Sequence, residues 1–411
     1  MRALLLDQNL QLPKLRPVDP RPIMHDGRPS ILLRDPLQLT DKGVVIPQQL
    51  APFLALCDGT RDIGGLQASL AVRYGLNVGP DVLAQFVNVL DEALLLDNER
   101  FTRAREQALS EYRQAPCRTP ASAGRSYPGN ADELRGILDS YIGAVEVDSL
   151  DHTDVQGLVS PHIDYERGGP VYAAVWKRAE EAVKAADLVV LLGTDHYGDS
   201  LVTLTHQHYS TPFGVLPTAK ETVDALAEAV GPDEAFADEL FHRNEHSIEL
   251  AAVWLHHIRE GRPCEVAPIL CGSFGRFIGG AAEPARDPTI ERLADTLRQS
   301  IAGRQALVVA AADLAHVGPA FGGTPQGLME RAHLQADDAE IIERICSGDA
   351  EGFFEAIKHQ GDRYNVCGLP PIYMALRVLG ATRGKKVAYD RCPADGNDTS
   401  LVSICGILLG N

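Results

Sequence analysis

The chain has no run of about 18 apolar residues, the length a helix needs to cross a bilayer, so no segment reads as a transmembrane span. Its first residues, MRALLLDQNLQLPK, hold only a short apolar stretch after one arginine. That is too little for the apolar part of a secretory signal, and we read the protein as cytoplasmic. Eight cysteines occur without a CxxC pair or regular spacing, which suits reduced thiols better than a disulfide framework. Basic residues are in deficit, with 38 Lys and Arg against 56 Asp and Glu and a formal net charge of −18. Phosphate-rich partners draw on clustered cations, so neither nucleic acid nor a membrane surface is expected as a partner. Internal repeats and low-complexity tracts are also missing.

What remains is ordinary globular material, 411 residues long and 45% hydrophobic, enough for two or three domains. The stretch APCRTPASAGRSYPGNA has no periodicity and mixes Pro, Ala, Ser and Gly, so it reads as a linker. We place a first domain at 1–110, a linker at 111–131 and a second domain at 124–411, the latter overlapping because RSYPG belongs to its motifs. A helix is expected over Asp132 to Ile142.

The first domain has strand-like ILLRD and VVIP segments and then three amphipathic helical patterns. Leu50, Phe53, Leu54 and Cys57 mark the first, Ile63, Leu66, Leu70 and Tyr74 the second, and Val82, Phe86, Val89, Leu90 and Leu94 the third. A hairpin is expected after the third. The order of elements, with LCDGTRDIGGLQASLAVRYG and VNVLDEALLLDNERF, resembles a PqqD-like, winged-helix type of peptide-recognition domain over about residues 20 to 101. Asp81, Asp91, Glu92, Asp97 and Glu99 face only Arg100 on the helix and hairpin that would meet DNA, so phosphate contact there is disfavoured. A structural cap and peptide capture by strand addition both stay open.

The second domain alternates apolar strands with helical stretches, the pattern of an α/β sheet covered on both faces. Strands are expected at Val155 to Ser160, Leu188 to Leu192, Val202 to Thr205, Val266 to Leu270, Ala306 to Ala311 and Leu401 to Ile404. Pro170 is expected to open one helix, and Pro370 and Pro371 to sit in the first turn of another.

Three strands run straight into metal-type side chains: LVSPHIDYERGG with His162, LVVLLGTDHYGD with Asp195 and His196, and LVVAAADLAHVG with Asp313 and His316. Ligands of open α/β sheets gather outside the carboxyl ends of the strands, so these ends point to one shared metal site. Each residue has a plainer reading, since a histidine at a strand end can simply satisfy a turn carbonyl. Asp313 and His316 would share a face if a helical turn follows the strand directly, with Asp313 favoured by its N-terminus. Cys367, in NVCGLPPIYMAL, stands before a helix start, where a thiolate is accessible; a buried, inert thiol is the alternative. His246 and Glu249, in NEHSIEL, are three apart on an apparent helix and are expected to point the same way.

Taken in order, RSYPG, PHIDY, GTDHYGD, TPFG, NEHSIEL, ADLAHVG and CGLPPI resemble the Memo family, whose microbial members are labelled AmmeMemoRadiSam system protein B. The resemblance covers residues 124 to 411. It implies a sheet with flanking helices similar to class III extradiol dioxygenases, an α/β fold, with a small N-terminal winged-helix-like α+β domain added. It implies a metal held by His162, His196 and Cys367, and functional roles for Asp313, His316 and His246. The usual PHAGY and GPSHH of that family are PHIDY and GTDHY here, which puts Asp164 and Asp195 beside the two ligand histidines, as an added ligand or a proton relay.

Two imidazoles and a thiolate resemble the facial triad of two histidines and a carboxylate. Fe(II) is therefore the expected metal, with Cu(I) and Zn(II) as competitors for a soft donor. Imidazole titrates near neutral pH, so His246 and His316, with Asp313 and Asp195, are the expected catalytic residues. The leading function is a dioxygenase-like, non-haem-metal oxidoreductase. By resemblance it would associate with a radical SAM protein and an AMMECR-type protein in a modification system. The alternatives are a metal-carrying or peptide-binding adaptor without turnover, and a zinc hydrolase for which Cys367 is a poor fit.

Overall fold

The computed structural model of the chain describes residues 12–146, 154–198 and 200–410. The short apolar stretch of the first residues lies outside them. The chain divides into two compact units, Met1–Gln114 and Ala115–Asn411, and among the described residues no helix is long and apolar enough to cross a membrane.

In the first unit, β1 (Asp19–His25), β2 (Arg28–Arg34) and β3 (Val44–Pro47) form an antiparallel sheet in the order β1-β2-β3. The three expected helices follow as Ala51–Leu56, Ile63–Tyr74 and Pro80–Glu92. Asp62 caps the second through Gly65 N, and Gly75 ends it in the left-handed region at φ 66°. One core of its own joins sheet and helices, with Leu33, Ile46, Phe53, Leu66, Leu70, Leu83 and Val87 all buried. The expected hairpin is instead a long helix, Glu99–Gln114. Asn98 starts it by accepting from Phe101 N, so the acids expected on a wing belong partly to a helix start, where they suit the dipole.

Because its core is separate, residues 1–114 should fold alone. We expect a cooperative thermal transition for that fragment by circular dichroism; a transition-free, unfolded spectrum would contradict an independent core.

The expected linker is not a solvated connector. Residues up to Gln114 finish the long helix, and from Ala115 the chain belongs to the second unit. Arg118, Ser122 and Tyr127 are buried there. Polar, aperiodic composition hid this, because the segment is held by hydrogen bonds and one ion pair and not by an apolar face.

The second unit is a mixed α/β sheet covered by helices on both faces. Its strands are β4 (Val155–Ser160), β5 (Leu188–Thr194), β6 (Val202–Leu204), a separate hairpin of β7 (Tyr209–Thr211) and β8 (Gly214–Leu216), β9 (Glu265–Cys271), β10 (Ala306–Ala311), β11 (His316–Val317), β12 (Arg383–Pro393) and β13 (Leu401–Gly410). The order is β11-β13-β4-β10-β5-β9-β6, with β12 also paired to β13. The central β4, β10, β5 and β9 are parallel, and β6, β13, β12 and β11 join antiparallel. Strands buried on both faces lose the in/out alternation of hydrophobicity. Thus Val190 and Leu192 of β5 enter one core while Val189 and Leu191 enter the other.

Two local readings change. Pro170 lies inside the helix Tyr165–Arg178, whose cap is Asp164, accepting from Arg167 N. The cap six residues before the proline sets the start earlier than the proline suggested. β12, RGKKVAYDRCP, was not expected at all: it is half-exposed on the sheet's edge, and its cations mask the strand pattern while guarding that edge.

Candidate metal centre

Parallel strands aim their carboxyl ends the same way, and β4, β10 and β5 are neighbours in that order. His162 follows β4, Asp313 follows β10 and His196 follows β5. The sheet therefore brings all three expected ends to one edge. Two helix starts complete the site. His246 directly precedes the helix Ser247–Ile258, and Cys367 lies just before the helix Leu369–Leu379. Ser247 Oγ donates to Thr194 O at 3.0 Å, and Thr194 Oγ1 donates to Cys367 O at 3.0 Å, so the end of β5 ties both helix starts in place. Gly368 gives the second one room: its N donates to Asp313 O at 3.0 Å, and a Cβ there would sit 2.4 Å from the same oxygen.

His162, His196 and His246 each offer a ligand atom, all within 4.8 Å of one another. Their ring centroids are 4.8 to 5.3 Å apart. Cys367 Sγ is 3.2 Å from His162 Nε2. The expected set of His162, His196 and Cys367 is thus brought together, and His246, expected only as an acid or base, joins it at ligand distance.

Each imidazole has its Nδ1 engaged. His162 Nδ1 donates to Ala311 O at 2.9 Å, and a carbonyl can only accept. His196 Nδ1 and His246 Nδ1 lie 3.0 and 3.1 Å from the two oxygens of Glu245. A carboxylate holding both Nδ1–H groups fixes ring orientation and turns both Nε2 atoms away from Glu245, where a cation could take them. The donor set therefore fits a metal that displaces the ring protons: three oriented imidazoles and one soft sulfur.

The protein groups also polarise one another. Burial would raise the Cys367 thiol, but the imidazoles of His162 and His316 and hydrogen bonds from His162 and His196 hold it well below its usual range. Burial likewise pulls His162 down, yet Asp313 and Cys367 outweigh it and leave it at about 9. Glu245, opposed by burial but faced by His196 and His246, stays well below the usual carboxylate range.

Glu245 was missed in the sequence. The cue was its position beside His246; attention went to Glu249 because three-residue spacing on a helix suggests a shared face. Glu249 instead points away from the histidines, to Arg118, Ala121 N, Ser122 N and Tyr127 Oη. Asp195 and Asp164 are not aimed at the cluster either. Asp195 accepts from Tyr197 N, Gly198 N and Thr203 Oγ1, which shapes the turn presenting His196. Asp164 caps its helix and pairs with Arg167. Asp313 accepts from His162 N at 2.8 Å and keeps Oδ2 3.7 Å from His162 Nε2, so it positions that ligand. No helical turn follows β10: His316 opens the short β11 and packs against Phe321. The shared-face and helix-dipole expectations for Asp313 and His316 therefore fail.

Beside the centre, His242 is fully buried, accepting from Tyr209 Oη at 2.6 Å and donating to Thr203 O at 2.9 Å. Burial lowers it from 6.5 to about 3. Its unfolded form binds a proton below 6.5 that the folded form refuses, so its stabilisation is complete above 6.5 and lost as pH falls toward 3. The loss across that window is on the order of 5 kcal/mol. We expect urea stability to fall with acid below pH 6.5, and His242→Gln to flatten that slope; an unchanged slope in the variant would contradict the assignment.

The Memo-like protein family matches residues 118–408, nearly the whole second unit. A MEMO1 family protein of Aquifex aeolicus is 27% identical over 387 residues, covering 92% of this chain and 96% of the relative. Similar relatives occur in Thermus thermophilus, 27% identical over 336 residues (80% and 93%), and Methanopyrus kandleri, 28% identical over 286 residues (66% and 91%). With the family matched over most of its length, and its strand-end histidines gathered at one sheet edge, the chain belongs to the Memo-like protein family.

Proposed function

We propose that this protein is a non-haem-metal-dependent oxidoreductase of dioxygenase-like chemistry. The observation that carries the reading is the set His162, His196 and His246 with Nδ1 atoms held, next to Cys367 Sγ 3.2 Å from His162 Nε2. Iron(II) suits this set best, and Cu(I) and Zn(II) are the competitors that the soft thiolate admits. A ferrous ion held by His162, His196, His246 and Cys367 would supply one-electron redox chemistry. The chain's own groups do the rest. Glu245 and Ala311 O keep the three rings in the ligating orientation, Asp313 fixes His162, and His316 beside the cluster is the group to take or give a proton.

The resemblance also supports a place in a modification system with a radical SAM protein and an AMMECR-type protein. For the N-terminal unit we propose peptide capture by strand addition. β1 carries Pro20 and Pro22, which remove ladder donors, so β3 is the edge a peptide would join.

The solvent-facing His196 and the soft Cys367 favour a second reading, a carrier that passes a metal ion on without turnover. Elemental analysis of anaerobically purified protein, followed by oxygen uptake with candidate diols and peptides, separates the two. Iron with substrate-dependent uptake supports the enzyme. Copper without uptake overturns it in favour of the carrier. Alkylation mapping reports Cys367 independently, with protection expected in the metal-loaded protein and ready labelling without metal.

A further inference from the structure

Among the described residues, the second unit exposes five large hydrophobic side chains, Tyr197, Val215, Phe321, Leu328 and Met329. Three of these fall in one short stretch, residues 321 to 329. That stretch borders a cavity of about 360 Å³, within the range of small-ligand sites, about 300–1,000 Å³. Across from it the wall is Arg363, Tyr364 and Asn365, part of the loop that delivers Cys367. His316 lines the cavity and also acts electrostatically on Cys367. Asn365 Nδ2 donates to His316 O at 3.2 Å, and His316 N to Tyr364 O at 2.7 Å. The cavity and the metal centre therefore share a wall.

The cavity gathers hydrogen-bond donors on one wall. Arg363, His333 and His316 line it, with Glu330 the one acid of the lining. Glu330 turns back toward the start of the helix Leu328–Cys346, with Oε2 2.8 Å from where a Cβ on Gly327 would lie, a place that favours a carboxylate. Arg363 gives Nη2 to Asp337 at 2.9 Å and Tyr364 Oη at 2.8 Å. Its Nε and Nη1 make no hydrogen bond among the described residues, and neither does the His333 ring. Guanidinium donors in a fixed fork match carboxylate and phosphate oxygens. Val317 and Phe321 in the lining ask for something else, a body without charge.

We propose that this cavity binds an organic anion with an apolar body, its carboxylate or phosphate held by Arg363 and His333 and its apolar part lying along Val317 and Phe321. Such a molecule is the substrate class of the adjoining centre. Only that last step rests on the oxidoreductase reading, and binding is tested apart from it.

The test is isothermal titration of the full-length chain, stripped of metal with a chelator so that no bound cation receives the anion. Octanoate, octyl phosphate, octanol and acetate are the probes. The tighter of the two octyl anions identifies the head group, and octanol and acetate are expected to bind at least tenfold more weakly than it. Arg363→Gln combined with His333→Gln is expected to cost the anion at least tenfold. Phe321→Asp, at an exposed position that lines the cavity and lies outside the core, is expected to cost it severalfold. No binding by either anion, octanol binding as tightly, or wild-type affinity in the double variant would each overturn the proposal. Oxygen uptake by the iron-loaded protein is measured separately. Anion binding without uptake removes the oxidoreductase reading and leaves the site standing, and uptake without anion binding does the reverse.

Discussion

Replacing Arg118 with Met is expected to destabilise the second unit by about 3–5 kcal/mol, the usual cost of leaving half of a buried ion pair behind. Arg118 and Glu249 have side chains 0% and 1% exposed. Arg118 pairs with Glu249 and also donates from Nε to His242 O at 2.8 Å and from Nη2 to Glu245 O at 2.7 Å. Those two carbonyls bracket the turn that carries Glu245 into His246. Glu249 meanwhile accepts from Ala121 N and Ser122 N at 2.8 Å and from Tyr127 Oη at 2.5 Å. The pair thus fastens the segment after Ala115 to the metal-site turn. Both tryptophans, Trp176 and Trp254, are buried in the second unit, so urea unfolding followed by their fluorescence reports this unit alone. Arg118→Met combined with Glu249→Leu should recover part of the loss, because no lone charge stays buried. A loss under about 1 kcal/mol for Arg118→Met would match an exposed pair and contradict this account.

Glu245→Gln is expected to lower metal affinity by about 10–100-fold while the fold stays intact, the typical effect of removing a partner that orients ligand imidazoles. An amide can accept from one Nδ1–H, but its NH2 group faces the other ring with a second donor. One of His196 and His246 then loses its orientation. Asp195→Asn is the contrasting variant, since Asp195 serves a turn and reaches neither ring. Its affinity should stay within a few-fold of the wild type in competition with a chromophoric chelator. Equal losses in the two variants would mean that Glu245 acts only through general packing.

The three strand ends were legible in the sequence because long apolar runs ending in His162, His196 and Asp313 carry their own geometric instruction. Cys367 was legible for a similar reason, as Pro370 and Pro371 mark the helix start beside it. What lay hidden depends on contacts between distant segments. Adjacency to His246 is the one local sign of Glu245, and it is outweighed by the helical spacing of Glu249, whose pairing with Arg118, more than a hundred residues away, no local pattern shows. Asp164 and Asp195 misled in the opposite direction. An acid beside a histidine suggests a ligand, but a short carboxylate also caps helices and closes turns, and here both do that. β12 was lost because edge strands carry charge where pattern reading looks for alternation.

The central claim is a metal held at one sheet edge by strand-end histidines, and the most direct test is metal content per chain after anaerobic purification, in the wild type and in His162→Ala combined with His196→Ala. The account predicts about one metal per wild-type chain and essentially none in the variant, with tryptophan fluorescence still reporting a folded second unit. Unchanged metal content in a folded double variant would contradict it.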